Sequence, residues 1–506
     1  MSNLYQLLES RFPKTPNTCA FETPDGRFYT FDDLRSGSAK IANYLTSLNI
    51  PLGSRVAVQV EKSVEAVMLY LGTLRAGMVF LPLNTAYREA EISYFLNDAE
   101  PAVVVCSPDN LHWIEPAAKA AGCQVVNTLG ESIDGTLIEA ATPHAATFTT
   151  VRSKPDDLAA ILYTSGTTGR SKGAMLSHRN LSSNAITLQK YWAWKKGDVL
   201  LHALPIFHVH GLFVALHGAL INGSKCFWLP KFDADQIVRL LPRSTVMMGV
   251  PTFYVRLAAD ARVDRKLVKN IRLFISGSAP LLTETFELFA KRTGHTILER
   301  YGMSETVMLT SNPYSGERRA GTVGFPLPGV QVRLIDDQNK VISKTKKSDS
   351  AIGAVQVKGP NVFGGYWRMP EKTKEEFTAD GWFKTGDVGK WDADGYLNLV
   401  GRSKDLIITG GYNVYPKEIE MLVDDMPGVD ETAVIGVPHP DFGEAVTAVV
   451  VAKPGAQLNV DDMIGQLKSK IANYKVPKKI YVVDSLPRNA MGKVQKNVLR
   501  EKYQAG

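Results

Sequence analysis

The sequence predicts an α/β protein built mainly from parallel sheets, and three patterns carry that prediction. Short apolar runs have the length and β-branched content of buried strands: Val56-Ala57-Val58-Gln59-Val60, Ala102-Val103-Val104-Val105-Cys106 and Leu273-Phe274-Ile275. Stretches with 3.6-residue patterning lie between them, for example Val64 to Ala76, and strands alternating with helices pack as sheets covered on both faces. From Ala351 to about Val400 the pattern changes to short strands with turns, including Asp392-Ala393-Asp394-Gly395-Tyr396, which predicts a smaller β unit. The polar stretch Asp336 to Ser350 before it reads as a solvated loop. Around Arg402 to Asp405 a new α+β pattern begins. It contains Leu406-Ile407-Ile408, a helical stretch from Tyr415 to Asp425, and strands over 431–435 and 445–451. We therefore expect a large domain over 1–402 and a small one over 403–506.

A chain of 506 residues exceeds one ordinary domain, which agrees with that division. With 44% hydrophobic and 22% charged residues it has a globular composition, and no apolar run approaches the roughly 20 residues of a membrane span. Met1 to Arg11 lack the features of a secretory or transit signal, so a cytoplasmic location and no membrane partner are expected. Cys19, Cys106, Cys123 and Cys226 are far apart in sequence and form no C-x-x-C pair, which predicts reduced, buried thiols. The net charge of +7 is spread along the chain in short clusters, a distribution that suits small anionic substrates and excludes nucleic acid as a partner.

The most informative segment is Tyr163-Thr164-Ser165-Gly166-Thr167-Thr168-Gly169-Arg170-Ser171-Lys172-Gly173, with three glycines, five Ser/Thr hydroxyls and two cations in eleven residues. Glycines let backbone N–H groups converge on an anion, hydroxyls add donors, and Lys172 supplies charge, so the segment reads as a polyphosphate cradle. It follows the apolar strand Leu158-Ala159-Ala160-Ile161-Leu162, yet its order matches neither the Walker loop nor G-x-G-x-x-G.

Further motifs accompany it in a fixed order: Ser276-Gly277-Ser278-Ala279-Pro280, Glu299-Arg300-Tyr301-Gly302-Met303-Ser304-Glu305, Gly381-Trp382-Phe383-Lys384-Thr385-Gly386-Asp387, Gly401-Arg402-Ser403-Lys404-Asp405 and Asn489-Ala490-Met491-Gly492-Lys493. Together they resemble the adenylate-forming superfamily of acyl-CoA synthetases, luciferases and peptide-synthetase adenylation domains, over the whole chain. Within it, Glu299 to Met303 and the run Ala203-Leu204-Pro205-Ile206-Phe207-His208-Val209-His210-Gly211 resemble malonyl-CoA synthetases.

The resemblance implies an enzyme that activates a carboxylate with ATP and Mg²⁺ and passes the acyl group to coenzyme A. It implies that the C-terminal domain is a mobile lid hinged at Lys404 or Asp405. Lys493 would reach the adenylation centre when the lid closes, and Glu305 would hold Mg²⁺. Thr164, Ser165, Gly166, Thr167, Thr168, Gly169 and Lys172 would hold pyrophosphate, with Thr164 and Lys172 assisting catalysis. Gly277, Ser278, Ala279, Pro280, Glu299, Tyr301, Gly302, Met303 and Ser304 would border the adenine slot. Asp387 and Arg402 would take the ribose, and Gly410, Gly411 and Tyr412, after Thr409, would line the pantetheine tunnel. Acetylation of Lys493 would remove its charge, which makes a lysine acetyltransferase or deacetylase an expected partner.

Relatives of long-chain or aromatic specificity carry glycine where this chain has Arg300. A cation facing a closed pocket is costly unless an anion meets it, and a second carboxylate on the substrate would be that anion. Arg272, with His208 or His210, could complete the clamp, and Val209, Val307 and Met308 could wall a short pocket. Malonate fits, and methylmalonate differs by one methyl, a difference such pockets resist by only about 1–3 kcal/mol. His208 reads equally well as a packed core histidine. Two departures from the malonyl-CoA synthetase pattern stand out, Ser304 for a usual threonine and Val209 for a common hydroxyl residue. The alternatives are a ligase for methylmalonate, succinate or another short acid, and a nucleotide-binding sensor without turnover.

Overall fold

The computed structural model describes residues 2–164, 171–343, 351–409, 412–439, 442–471, 473–489 and 492–504. The chain folds as two compact units: one comprises the residues up to Ala320 with Gly324–Gln331 and Lys358–Gly381, the other Gly321–Val323, Val332–Val357 and the chain from Trp382 onward.

The first unit contains two large sheets. A six-stranded sheet runs in the order Val125–Thr128, Val103–Cys106, Arg55–Gln59, Val79–Pro82, Leu158–Thr164, Lys172–Ser177. Its pairings are parallel except the last, where Leu158–Thr164 turns back on Lys172–Ser177. A nine-stranded sheet has the order Phe325–Pro326, Val307–Ser311, Leu298–Met303, Leu273–Ser276, Val246–Gly249, Val199–His202, Lys225–Trp228, Cys19–Glu22, Phe28–Thr30. Its middle is parallel and its two ends are antiparallel. The predicted strands appear because runs buried on both faces read as uninterrupted Val, Ile and Leu. Tyr254, Phe274 and Phe289 meet edge to face beneath the second sheet, with centroids 4.9–6.2 Å apart. The helix predicted from Val64 is Val64–Arg75, capped by the Ser63 hydroxyl accepting the Ala66 N–H.

In the second unit, Gln331–Ile335, Gly353–Lys358, Phe383–Trp391 and Leu397–Arg402 form a four-stranded sheet, so the small β unit has one strand more than the 351–400 stretch supplies. The sheet beyond it joins Tyr412–Val414, Ile407–Thr409, Gly443–Ala452 and Val429–His439, with Lys479–Val483 parallel to Gly443–Ala452. Helix Pro416–Asp424 packs Ile419 and Val423 onto this sheet. Cys106, Cys123 and Cys226 are buried and Cys19 half-buried, all as free thiols. No helix among the described residues is long and apolar enough to cross a membrane.

Candidate active site

In parallel sheets, the strand carboxyl ends collect functional groups. Leu273–Ser276 delivers Gly277 and Ser278 there, and its neighbour Leu298–Met303 pairs Leu298 with Ile275 and Glu299 with Ser276. One residue on is Arg300, only 4% exposed, whose Nε and Nη2 have no hydrogen-bond partner among the described residues. Its guanidinium lies against Gly277, where an added Cβ would stand 2.2 Å from Arg300 Cζ. Burial pushes Arg300 down to about 9, which still leaves it protonated at neutral pH. Glu299 is occupied elsewhere, accepting the Leu281 N–H at 3.1 Å and so closing the Gly277 to Leu281 loop. Ser278 in that loop holds φ of 74°, in the region that favours glycine.

His210 joins this group, with Nδ1 3.3 Å from Ser278 Oγ and Nε2 buried without a partner among the described residues. Burial first, then the nearby Arg300 charge, hold His210 well below the ordinary histidine range, so the ring is neutral. His210 starts a wide helical turn, His210–Leu216, of the π type that interrupts helices at functional sites. Val209 and Met308 are buried, and Met308 Cε fills the space a side chain at Gly302 would need. Val307 begins the return strand with φ of 53°. Met303 pairs with Val307 and Tyr301 with Thr310, so Ser304, Glu305 and Thr306 form the hairpin tip.

Glu305 is buried and receives the Tyr366 hydroxyl at 3.0 Å. The Lys172 ammonium sits 4.4 Å from the centre of the Tyr366 ring and 3.8 Å from Glu376. Thr164 faces Lys172 across the antiparallel pair. Tyr366 thus ties the foot of the phosphate segment to the Glu305 carboxylate, while Ser165, Gly166, Thr167, Thr168 and Gly169 lie outside the described residues.

In the second unit, Asp387 and Arg402 are opposite each other on neighbouring strands and ion-paired at 2.7 Å. The next residues form a single turn in which Lys404 is exposed and Asp405 is paired with Arg500 at 2.6 Å. Tyr412 pairs with Thr409; Gly410 and Gly411 lie outside the described residues. Lys493 is exposed on a tight turn, its N–H donating to Asn489 Oδ1 at 3.0 Å and its carbonyl accepting the Asn489 N–H at 2.9 Å.

One expected clamp residue is placed differently. Arg272 stands at the opposite, amino end of its strand and is paired with Asp198 through two guanidinium nitrogens, at 2.9 and 2.5 Å, because Asp198 precedes Val199–His202, two places along the same sheet, at the same edge. It is not brought to Arg300. His208 is half-buried against Phe207, with ring centres 5.5 Å apart, while His210 takes the position beside Ser278. Sequence reasoning missed Tyr366 and the Gly277–Arg300 stack. Tyr366 follows Gly364-Gly365, a signal of close backbone approach, but nothing local in the sequence pairs Gly277 with Arg300.

Comparison with known proteins agrees with this geometry. Residues 8–367 match the AMP-binding enzyme family and residues 418–493 match the AMP-binding enzyme C-terminal domain. The chain is 34% identical to a malonate–CoA ligase of Arabidopsis thaliana, over 99% of this chain and 89% of that enzyme. It is 35% identical to the mitochondrial malonate–CoA ligase of Homo sapiens, over 93% of this chain and 88% of that one. Among solved structures, ATP-bound MatB from Rhodopseudomonas palustris superposes with a TM-score of 0.96 at 53% identity, each chain covered to 99%. A benzoate CoA ligase from Burkholderia xenovorans gives 0.89 at 27% identity, covering 99% of this chain and 100% of that one. With a family match across most of its length, this chain belongs to the AMP-binding enzyme family.

Proposed function

We propose that the chain is a malonyl-CoA synthetase: malonate and ATP form malonyl-adenylate and pyrophosphate, then the CoA thiol displaces AMP to give malonyl-CoA. The observation that carries this reading is the buried Arg300 guanidinium against Gly277, its Nε and Nη2 without a partner among the described residues, beside neutral His210. A buried cation with two idle donors is complementary to a carboxylate. Because Arg300 lies on the strand that leads into the Glu305 hairpin, a second carboxylate bound there leaves the first within reach of the nucleotide only if the acid is short. Malonate–CoA ligases among the relatives and the ATP-bound MatB structure support the same substrates, ATP, CoA and malonate. Methylmalonate is an acceptable second acid for a pocket walled by Val209 and Met308.

In this reading Lys493 stabilises the charge that develops when the carboxylate oxygen attacks the α-phosphorus and pyrophosphate leaves. Thr164 and Lys172, with the rest of the glycine-rich segment, hold the leaving pyrophosphate. Gly277 to Pro280 and Glu299 to Ser304 border the adenine, and Asp387 with Arg402 takes the ribose hydroxyls. Glu305 offers one buried carboxylate steadied by Tyr366, which fits a Mg²⁺ that draws its remaining oxygens from ATP and water. Bound there, the ion would neutralise triphosphate charge. Residues 403–506 act as a lid turning at Lys404 or Asp405, after which Gly410, Gly411 and Tyr412 line the path of the pantetheine arm. Acetylation of Lys493 by a lysine acetyltransferase would block adenylation and spare thioester formation. Free, buried thiols suit a reducing, cytoplasmic location.

The test is pyrophosphate release with ATP, Mg²⁺ and CoA across acetate, propionate, malonate, methylmalonate and succinate, for wild type and Arg300→Gly. Malonate is expected as the best acid, and Arg300→Gly is expected to lose malonate turnover while keeping or gaining monocarboxylate turnover. Wild-type preference for monocarboxylates, with little effect of the substitution, would refute the malonate assignment and leave the family untouched.

A further inference from the structure

A buried lysine that the reaction as described does not use reaches the carboxyl end of the strand Val199–His202. Lys62 follows the strand Arg55–Gln59 and is 9% exposed. Its Nζ meets three acceptors from the neighbouring sheet: His202 Nδ1 at 2.9 Å, the His202 carbonyl at 2.9 Å and the Leu229 carbonyl at 2.6 Å. Trp228 covers it from one side, with Nζ 4.2 Å from the ring centre. An ammonium has three protons and no lone pair, so this arrangement satisfies the protonated form in full. Burial nevertheless drives Lys62 well below the usual lysine range.

The contacts also fix the hydrogens on His202. Since Lys62 donates to Nδ1, the ring proton resides on Nε2, which donates to the Gly211 carbonyl at 2.9 Å. Gly211 is the second residue of the His210–Leu216 turn, and an added Cβ there would stand 1.9 Å from the Pro205 carbonyl oxygen. The turn is thus held from two sides directly after His210.

We propose that Lys62, acting through His202 and the Gly211 carbonyl, is a positioning residue that sets His210 beside Arg300 and thereby tunes the acyl pocket for a dicarboxylate. The proposal rests on the malonate reading for its substrate, but its structural core does not. Three groups stand in a one-way relay of donors, Lys62 to His202 and His202 to Gly211, and the residue at its end flanks the same Gly277–Ser278 segment as Arg300. Displacements of the order of 1 Å at a reacting group can cost about 100-fold in rate.

Three variants test it against the wild type: Lys62→Met, His202→Leu and His202→Gln. Glutamine keeps one acceptor and one donor, whereas leucine keeps neither. Lys62→Met and His202→Leu are expected to lower kcat/KM for malonate by up to about 100-fold, mainly through KM, with the KM for ATP unchanged and the malonate-to-acetate ratio reduced. His202→Gln is expected to recover most of that ratio. Equal losses for malonate, acetate and ATP would mark a purely structural role and overturn the proposal. Nitrogen-15 histidine spectra give a readout independent of the substrate. His202 is expected as the Nε2–H tautomer in wild type, and the His210 resonances should move in Lys62→Met. A Nδ1–H tautomer, or an unmoved His210, would overturn the relay even if malonate is the substrate. If wild type fails to use malonate, the substrate reading falls, and the tautomer and the His210 shift still decide the relay.

Discussion

Gly277 shows how much of the site depends on an atom that is missing. A Cβ there would stand 2.2 Å from Arg300 Cζ and 2.4 Å from Nη1, so the guanidinium has the place a side chain would occupy. Gly277→Ala is therefore expected to push the cation out of register, raising the KM for malonate about tenfold or more while leaving the KM for ATP closer to wild type. Overpacking of this kind costs about 1–3 kcal/mol, which a denaturant titration would register. An unchanged malonate KM would mean that Arg300 moves freely and does not set the pocket. At this scale the sequence was partly legible. Arg300 stands out because an arginine inside a strand motif demands an anion, but its contact with Gly277 joins two strands, and no local pattern announces it. The same holds for Arg272, whose partner Asp198 is 74 residues away.

Among the elements, helix His178–Tyr191 carries structural information toward the hairpin. Its first turn is closed by a reciprocal pair, the Ser177 hydroxyl accepting the Asn180 N–H and Asn180 Oδ1 accepting the Ser177 N–H. Farther on, Asn180 Nδ2 donates to the Pro360 and Val362 carbonyls, and Asn184 Nδ2 to the Met308 carbonyl. Ser177→Ala is expected to cost about 1 kcal/mol of stability, read from a urea midpoint, with substrate preference unchanged. A shift in the malonate-to-acetate ratio would instead show that the cap reaches the pocket through Met308. Strands buried on both faces were legible as elements because burial leaves a continuous apolar run. The His210–Leu216 turn was not, since a π-type turn uses the same apolar residues as the regular helix that follows it. Nor was the strand Gln331–Ile335, whose polar Gln331 and Arg333 alternate with apolar residues directly before the polar stretch from Asp336.

At the scale of the whole molecule, the buried histidines set the response to acid. His178, with Nδ1 accepting the Leu4 N–H at 3.1 Å, is held at about 4 by burial, and His217 at about 3. His202 and His210 are shifted in the same direction. Each stays neutral in the folded chain while the unfolded chain takes up a proton near pH 6.5, so folding stability is full above that value and declines as pH falls toward 4. His178 alone should forfeit on the order of 2 kcal/mol by pH 5. Thermal midpoints measured from pH 7 to 5 are expected to fall, with a shallower slope in His178→Gln; parallel slopes would remove His178 from the account. The broad plan of the molecule, α/β first and a β-rich remainder after it, was visible in the order of patterns along the chain. The grouping of Gly353–Lys358 and Phe383–Trp391 with the residues beyond 402 was not, because it depends on pairing between strands and not on local periodicity.

The four cysteines have a chemical consequence. Burial raises all of them, Cys106 to about 12, so almost none exists as the reactive sulfur anion at neutral pH. An enzyme that hands an activated acyl group to a sulfur nucleophile has reason to keep its own sulfur silent. No side chain of this kind competes with the incoming cofactor for the mixed anhydride, and none is poised to exchange with an oxidised dimer of that cofactor. The protein's own thiols are thereby kept out of exchange with the thiol pool it draws on.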